Sequence, residues 1–453
     1  MSRPVDVVRT IDEAPIGRLQ LRVVFLCFLV AAVDGFDAQA IAFVAPIVAD
    51  TFEISRRDMG PVLAAALVGL MAGAFLLSPL ADRIGRKSVI VGSVVVMGAF
   101  SLATTLATSR EELLLYRFLT GLGLGGVMPN INTLTSEYAP ARSRATLMTL
   151  MFVGFPFGAV VGGLASAPLI AAFGWKTVFV LGGVLPLILA AVLMTSLPES
   201  VLYLTGKSQD HQRILQILDQ IAPGKVPRDA VFSLPSTEQS AASVLDLFRG
   251  GRLVTTALLW AIFFANLLTM YALFGWLPTV LNLAGLPLEQ AIIGTVIFNL
   301  GGVVGGVVIA RAVDHLGPIR VMTTAYLIGA LAVAAIGVSS GSLPTAVIAI
   351  FMAGATVVGA QFGMNALAIG TYPTAVRSTG LGWALAAGRI GSIIGPIVVG
   401  ALLAKELAMG ALFVVFALPT VISAGMVGVL GIVRQPQSTR SVTPARSSGA
   451  RGS

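Results

Sequence analysis

Charge and cysteine are what this chain lacks. Only 11% of its 453 residues are Asp, Glu, Lys or Arg, against about 25% in a soluble globular domain. The single cysteine, Cys27, excludes an internal disulfide and a cysteine-clustered metal site. Two histidines, His211 and His315, both fall in polar connections. No nucleophile and base can be assembled from these residues, so the expectation is no enzyme, no metal and no cofactor. The first twenty residues mix both charge signs and lack the basic start of a signal peptide, so the first apolar run is expected to be retained as an anchor.

Hydrocarbon is what the chain has instead. Hydrophobic residues make up 56% and the mean hydropathy is +0.91, which places it among integral membrane proteins. A spanning helix needs roughly 20 apolar residues. Twelve such runs begin near residues 21, 60, 88, 113, 145, 175, 253, 288, 319, 344, 378 and 409. Fifty glycines suit helices that pack closely in lipid. The net charge of +8 could suggest nucleic acid, but its placement does not. With the amino terminus inside, 22 of the 29 Lys and Arg fall on inner segments and five on outer loops. That asymmetry places both termini in the cytoplasm and makes the lipid bilayer, not nucleic acid, the partner.

The chain also reads as two copies of one plan. Asp82, after the second run, matches Asp314, after the eighth, at an offset of 232, and Gly158 and Gly162 match Gly391 and Gly395 at 233. The expectation is an all-α membrane protein of twelve transmembrane helices in two six-helix bundles. Its parts are a cytoplasmic amino-terminal segment (1–20), an amino-terminal bundle (21–196), a cytoplasmic linker with short amphipathic helices (197–251), a carboxy-terminal bundle (252–433) and a disordered cytoplasmic tail (434–453). In the linker, Ile214, Ile217, Leu218 and Ile221 recur at helical spacing, as do Val244, Leu245 and Phe248. Substrate sites in repeats of this kind lie near the midplane between the halves.

Asp34 and Asp37 are the carboxylates that fall inside a run, three residues apart, while Glu406 is placed in an outer loop beside Lys405. A charge near the bilayer centre costs at least about 2.5 kcal/mol, so an ionisable group there is a functional candidate. Counted from Arg22 at about 1.5 Å per residue, Asp34 lies roughly 18 Å and Asp37 roughly 22 Å into a core about 30 Å thick. Two cations share the hydrocarbon. Arg117, roughly 8 Å from the outer edge, is level with Asp37 and is matched to Asp34 or Asp37. Arg389, roughly 16 Å into its run, has no acidic partner in its own half and invites an external anion. The competing reading of the aspartates is a helix break with a structural ion pair, and Arg117 could be purely structural.

Residues 121–126 contain a literal G-x-G-x-x-G, but it follows no strand and lies within an apolar run, so helix packing accounts for it better than a dinucleotide. Phe36, Tyr116, Tyr271, Trp276 and Trp383 are rings that could stack a substrate, and packing is the plainer use of each.

Asp34-Gly35-Phe36-Asp37 resembles the first-helix pattern of the aromatic acid:proton symporters of the major facilitator superfamily. Asp82-Arg83-Ile84-Gly85-Arg86-Lys87 and Arg117-Phe118-Leu119-Thr120-Gly121-Leu122-Gly123 are similar to its loop and fourth-helix motifs. Asn365-Ala366-Leu367, Tyr372-Pro373, Arg377-Ser378-Thr379-Gly380 and Gly388-Arg389-Ile390-Gly391 are similar to its tenth and eleventh helices. Ala38, Ser78 and His315 depart from the pattern.

The resemblance implies uptake of a benzoate-type carboxylate with protons across a bacterial inner membrane, by a carrier expected to work as a monomer. Asp34, Asp37 and Arg117 would couple protons. Arg389, Asp34, Asp37, Phe36, Tyr271, Trp276, Asn365 and Trp383 would bind substrate. Asp82, Arg83, Arg86, Glu137, Asp314 and Arg377 would gate the cytoplasmic face. The alternatives are a proton-coupled importer of another organic acid or a sugar-like solute, and a drug-exporting antiporter of the same superfamily.

Overall fold

Backbone amides in hydrocarbon have no water to bond, so each apolar run must satisfy itself as a helix. All twelve do so in the computed structural model, which describes residues 4–208, 210–227, 230–233, 243–339, 343–373 and 376–434. The spans are Arg18–Thr51, Arg56–Ile84, Arg86–Thr104, Arg110–Tyr138, Arg144–Phe173 with a break at Val153, and Lys176–Ser196 in the first half. In the second half they are Leu253–Leu283, Leu288–Leu316, Pro318–Ser339, Leu343–Thr371 with a π-helical turn over Gly354–Val358, Arg377–Leu403 and Met409–Arg434. Eleven are long and apolar enough to cross a membrane by length and composition. The fourth, Arg110–Tyr138, is as long but carries Arg117, Asn130 and Asn132.

The helix ends are written locally. The Ser55 hydroxyl accepts from the Asp58 amide at 3.1 Å, and the Ser109 hydroxyl from the Glu112 amide at 3.2 Å, so the amino-terminal ends of the second and fourth spans are capped. The second and eighth spans stop at Gly85 and Gly317, whose φ angles of 98° and 80° favour glycine. These two glycines share the offset of 232 found for Asp82 and Asp314, so the repeat extends to the turns.

Helix packing repeats as well. A Cβ on Gly158 would strike the Ala32 carbonyl of the first span, and one on Gly391 would strike the Phe264 carbonyl of the seventh. Gly69 and Gly73 lie against the Phe118 and Leu122 carbonyls, while Gly301 and Gly305 lie against those of Phe351 and Ala355, at the same offset of 232 to 233. Gly121, Gly123, Gly125 and Gly126 are likewise occupied by neighbouring helices. The glycine-rich stretch is therefore a contact surface, as small residues at membrane helix interfaces usually are.

The apolar core is shared at one end of the molecule and divided at the other. One cluster joins both halves where residues 51–56, 104–110 and 281–288 connect the spans, with Val44, Met59, Leu281 and Leu403 among its members. At the opposite end, where residues 4–20 and 434 lie, the first half has its own cluster around Val23, Leu134 and Leu193, and the second half another around Phe263, Met322 and Leu367. The halves are closed on one face and parted on the other.

Beyond the spans, His211–Ile221 forms a helix that buries Ile214, Leu218 and Ile221 against the first half. Residues 4–6 and 231–233 form a parallel pair of three-residue strands, the one departure from the all-α expectation among the described residues. Val244–Leu247 is a short 3-10 turn in which Leu247 is buried and Leu245 is 64% exposed. Val244 and Phe248 of the expected stripe pack against the second-half cluster while Leu245 does not, and the Thr256 hydroxyl donates to the Leu247 carbonyl at 2.8 Å. The expected disordered tail lies, from residue 435 on, outside the described residues.

Replacing Gly158 or its repeat counterpart Gly391 by Leu drives a branched side chain into a facing carbonyl. Each is expected to lower stability by about 1–3 kcal/mol or more. The check is thermal unfolding of the purified protein in detergent, with Gly92→Leu, where no heavy atom lies within 4 Å of a built Cβ, as the neutral control.

Candidate functional site

Two aspartates at i and i+3 lie about 60° apart around a helix axis, yet their neighbours treat them differently. The helix runs unbroken from Arg18 to Thr51 through both. Gly35 between them lies against the Phe155 backbone of the fifth span, which fixes the height at which the carboxylates stand.

Asp37 is fully buried and so is Arg117. The guanidinium reaches across from the fourth span as a fork, Nη2 to Oδ2 at 3.1 Å and Nη1 to Oδ1 at 3.3 Å, and Nη2 also donates to the Asp37 carbonyl at 3.2 Å. The Ser101 hydroxyl adds a bond to Oδ1 at 3.0 Å. The ring of Phe179 lies 5.5 Å from the guanidinium carbon. Of the two matches open to Arg117, the structure selects Asp37. A bidentate, fully buried pair of this kind holds together because each ion offsets the other's desolvation.

Asp34 is 2% exposed, and its Oδ1 has no hydrogen-bond partner. The positive charge of Arg389, from the other half, bears on it, as does the negative charge of Asp37. Arg389 is half-buried, and its Nη1 donates to the Tyr271 hydroxyl at 3.2 Å. No ion pair among the described residues includes Arg389. The structure thus sets a carboxylate without a hydrogen-bonded cation and a cation without a paired carboxylate on opposite halves.

The aromatic candidates divide. Tyr271 stays beside Arg389 and meets Phe274 edge-on at 5.7 Å. Trp383 is 44% exposed and stacks on Trp260 at 5.9 Å. Phe36 is packed onto Gly162, and Trp276, 1% exposed, donates its indole N–H to the Pro396 carbonyl at 2.9 Å. Both rings take part in helix packing. Asn365 is half-buried, with its Oδ1 unpartnered.

The gating candidates also divide. Arg86 bonds Asp82 at 3.0 Å and Glu137 at 3.5 Å, and its guanidinium lies over the Tyr203 ring at 5.7 Å. The exposed Arg83 accepts from the Tyr203 hydroxyl through its carbonyl at 3.0 Å. All of these belong to the first half or the linker. Arg377 donates to the Tyr372 carbonyl at 3.4 Å, Asp314 is exposed, and no ion pair among the described residues joins either to the first-half set. On this parted face the motif is assembled within one half and does not bridge the two.

Several polar residues escaped sequence reasoning. Gln39 and Asn299 exchange amide bonds of 3.0 and 3.2 Å between the halves, both buried. Asn266 donates to Gln361 at 3.3 Å. The repeat offset was the missed signal, since Asn266 is the counterpart of Asp34 at an offset of 232, and Asn365 that of Asn132 at 233.

The sequence matches the family model described as the Major Facilitator Superfamily over residues 27–340 and 259–450. It is 43% identical to a 4-hydroxybenzoate transporter of Pseudomonas putida over 87% of this chain and 89% of that one. It is 38% identical to a gallate transporter of Pseudomonas putida over 98% and 97%. It is 36% identical to a 3-(3-hydroxy-phenyl)propionate transporter of Escherichia coli over 84% and 86%. Among solved structures, a bacterial homologue of the human lysosomal transporter Spinster, in an inward-facing and occupied conformation, superposes with a TM-score of 0.70 at 17% identity, covering 95% of this chain and all of that one. A D-xylose-proton symporter gives 0.70 at 17% identity over 90% and 97%.

Removing one member of the buried pair strands the other. Asp37→Ala is expected to cost about 3–5 kcal/mol of stability, and Arg117→Leu added to it to recover most of that loss. Unfolding temperatures of the two single variants and the double variant in detergent check this; additive losses would mean that the pair is not coupled.

Proposed function

The chain belongs to the Major Facilitator Superfamily, and we propose that it takes up an aromatic carboxylate of the benzoate or hydroxybenzoate type together with protons, by alternating access across a bacterial inner membrane. The observation that carries this reading is the pairing of roles between the halves. Arg389 presents a guanidinium without a carboxylate, and Asp34 presents a carboxylate oxygen without a donor. A planar fork takes a carboxylate bidentately, so an aromatic monoanion completes Arg389 and a proton completes Asp34. The names borne by relatives at 36 to 43% identity support that choice of substrate.

In this mechanism both termini are cytoplasmic and the carrier acts as a monomer. The described state, closed at the loop face and parted at the terminal face, is then the inward-open one. Substrate and proton arrive from the opposite opening. With Arg389 and Asp34 both neutralised, the two halves no longer hold unbalanced charges apart, and the site crosses. Asp37 with Arg117 sets the field in which Asp34 titrates. Arg86, bound to Asp82 and Glu137, awaits the second-half residues Arg377 and Asp314 when the inner face shuts.

One monoanion with one proton moves no net charge and responds to the pH gradient alone. A second proton would add about 2.3 kcal/mol per 100 mV of membrane potential.

Asp34→Asn proteoliposomes are expected to exchange labelled 4-hydroxybenzoate but to lose its accumulation under an imposed pH gradient. Arg389→Gln is expected to lose both. Undiminished gradient-driven accumulation by Asp34→Asn would remove the coupling role, and normal uptake by Arg389→Gln would point to an uncharged solute.

A further inference from the structure

A reciprocal amide pair joins the two halves deep in the molecule. Gln39 Nε2 of the first span donates to Asn299 Oδ1 of the eighth at 3.0 Å, and Asn299 Nδ2 donates back to Gln39 Oε1 at 3.2 Å. Asn299 Nδ2 also donates to the Thr295 carbonyl at 2.9 Å. A carbonyl only accepts, so this bond fixes which way the Asn299 head points and, through it, the Gln39 head. Both residues are sealed, at 1% and 2% exposure. The link is uncharged, and no ion pair among the described residues joins a first-half span to a second-half span.

Its depth follows from the helix ends. Gln39 stands twelve residues before Thr51, where its helix stops, and Asn299 eleven residues after Leu288, where its own begins. Both ends lie at the closed face, so at about 1.5 Å per residue the pair sits roughly 17 Å beneath it. The same rise puts Gln39 about 8 Å from Asp34, on the closed side of it. Val44, Met59, Leu281 and Leu403 of the shared apolar cluster lie nearer the loops. Val296, three residues nearer the loops than Asn299, closes the same seam: a Cβ on Gly163 of the fifth span would come 2.6 Å from its Cγ2.

The repeat does not copy this link. At the offset of 232, Gln39 corresponds to Tyr271 and Asn299 to Leu67, and a leucine has nothing to exchange with a phenol. Tyr271 instead accepts from Arg389 at 3.2 Å. One register position therefore ties the halves together in the first bundle and serves the lone guanidinium in the second. The strength of the link also differs from that of the buried ion pair. Parting two amides costs less than parting Asp37 from Arg117, which suits a contact that breaks on every cycle rather than one that holds a scaffold.

Resting on the alternating-access part of the uptake reading and on no particular substrate, we propose that Gln39 and Asn299 are the bolt of the outer gate. Their bonds hold the described state shut at the loop face and part before the interior opens there. When one partner is replaced by leucine, the other amide head is buried unpaired in the shut state and meets water in the open one, so the balance moves toward opening. With both replaced, neither state holds an orphaned head and the shut state is recovered.

The test uses the full-length chain purified in detergent, carrying Cys27→Ala and Val296→Cys, so that maleimide labelling at position 296 reports opening of the seam. Val296 is 4% exposed in the shut state, and Cys27, the chain's own thiol, is buried. Gln39→Leu and Asn299→Leu are each expected to raise the labelling rate about tenfold over this parent. Combining the two leucines, or exchanging the pair as Gln39→Asn with Asn299→Gln, is expected to bring the rate back toward the parent, and recovery in either double variant supports the bolt. Single variants labelled at the parent rate, or both doubles labelled as fast as the singles, overturn it. Singles that fail to fold while a double folds show the same coupling and support it; failure of singles and doubles alike overturns it. Counterflow of labelled 4-hydroxybenzoate by the wild type, measured alongside, decides the uptake reading separately: its absence overturns that substrate assignment, whereas the labelling rates decide the bolt.

Discussion

An ion pair sealed from water governs the first half of this protein. Asp37 and Arg117 have no solvent to fall back on, so each must be held where the other can reach it. Their bond fixes the first span against the fourth, while Ser101 brings in the third and the ring of Phe179 the sixth. Gly35 and Gly158 let the fifth span close from the other side. A charge deep in hydrocarbon is tolerated only under such enclosure, and of the two carboxylates it is Asp34 whose Oδ1 is left without a hydrogen-bond partner.

The second half keeps the scaffold and discards the pair. Thr269 occupies the position equivalent to Asp37, and Ile350 the position equivalent to Arg117, at offsets of 232 and 233. Glycine contacts between spans survive the comparison almost residue for residue. What differs is the electrostatics: the cation of the second half, Arg389, stands at the position of Pro156 in the first. Shared packing with unshared charge is how one folding unit, used twice, yields two halves that differ in their electrostatics.

Much of this was legible in the sequence, because the bilayer imposes strict rules. Twelve apolar runs could only be helices, and each became one. Asp34, Asp37, Arg117 and Arg389 announced themselves by being charged where charge is costly. Uncharged polar residues carry no such flag. Asn266, Gln361, Gln39 and Asn299 each cost too little singly to stand out, and their partners lie 95 and 260 residues away. Which aspartate meets Arg117 turned on rotation about a helix axis, and whether Phe36 and Trp276 present a face turned on Gly162 and Pro396. Those are facts of packing, which periodicity does not encode.

The small parallel ladder between residues 4–6 and 231–233 has a consequence for biosynthesis. Its first strand is made before any of the twelve spans and its second only after six spans have left the ribosome. The leading residues must therefore wait, unladdered, through the insertion of half the protein, and their closure marks the moment when the first bundle and the connecting segment are both in place.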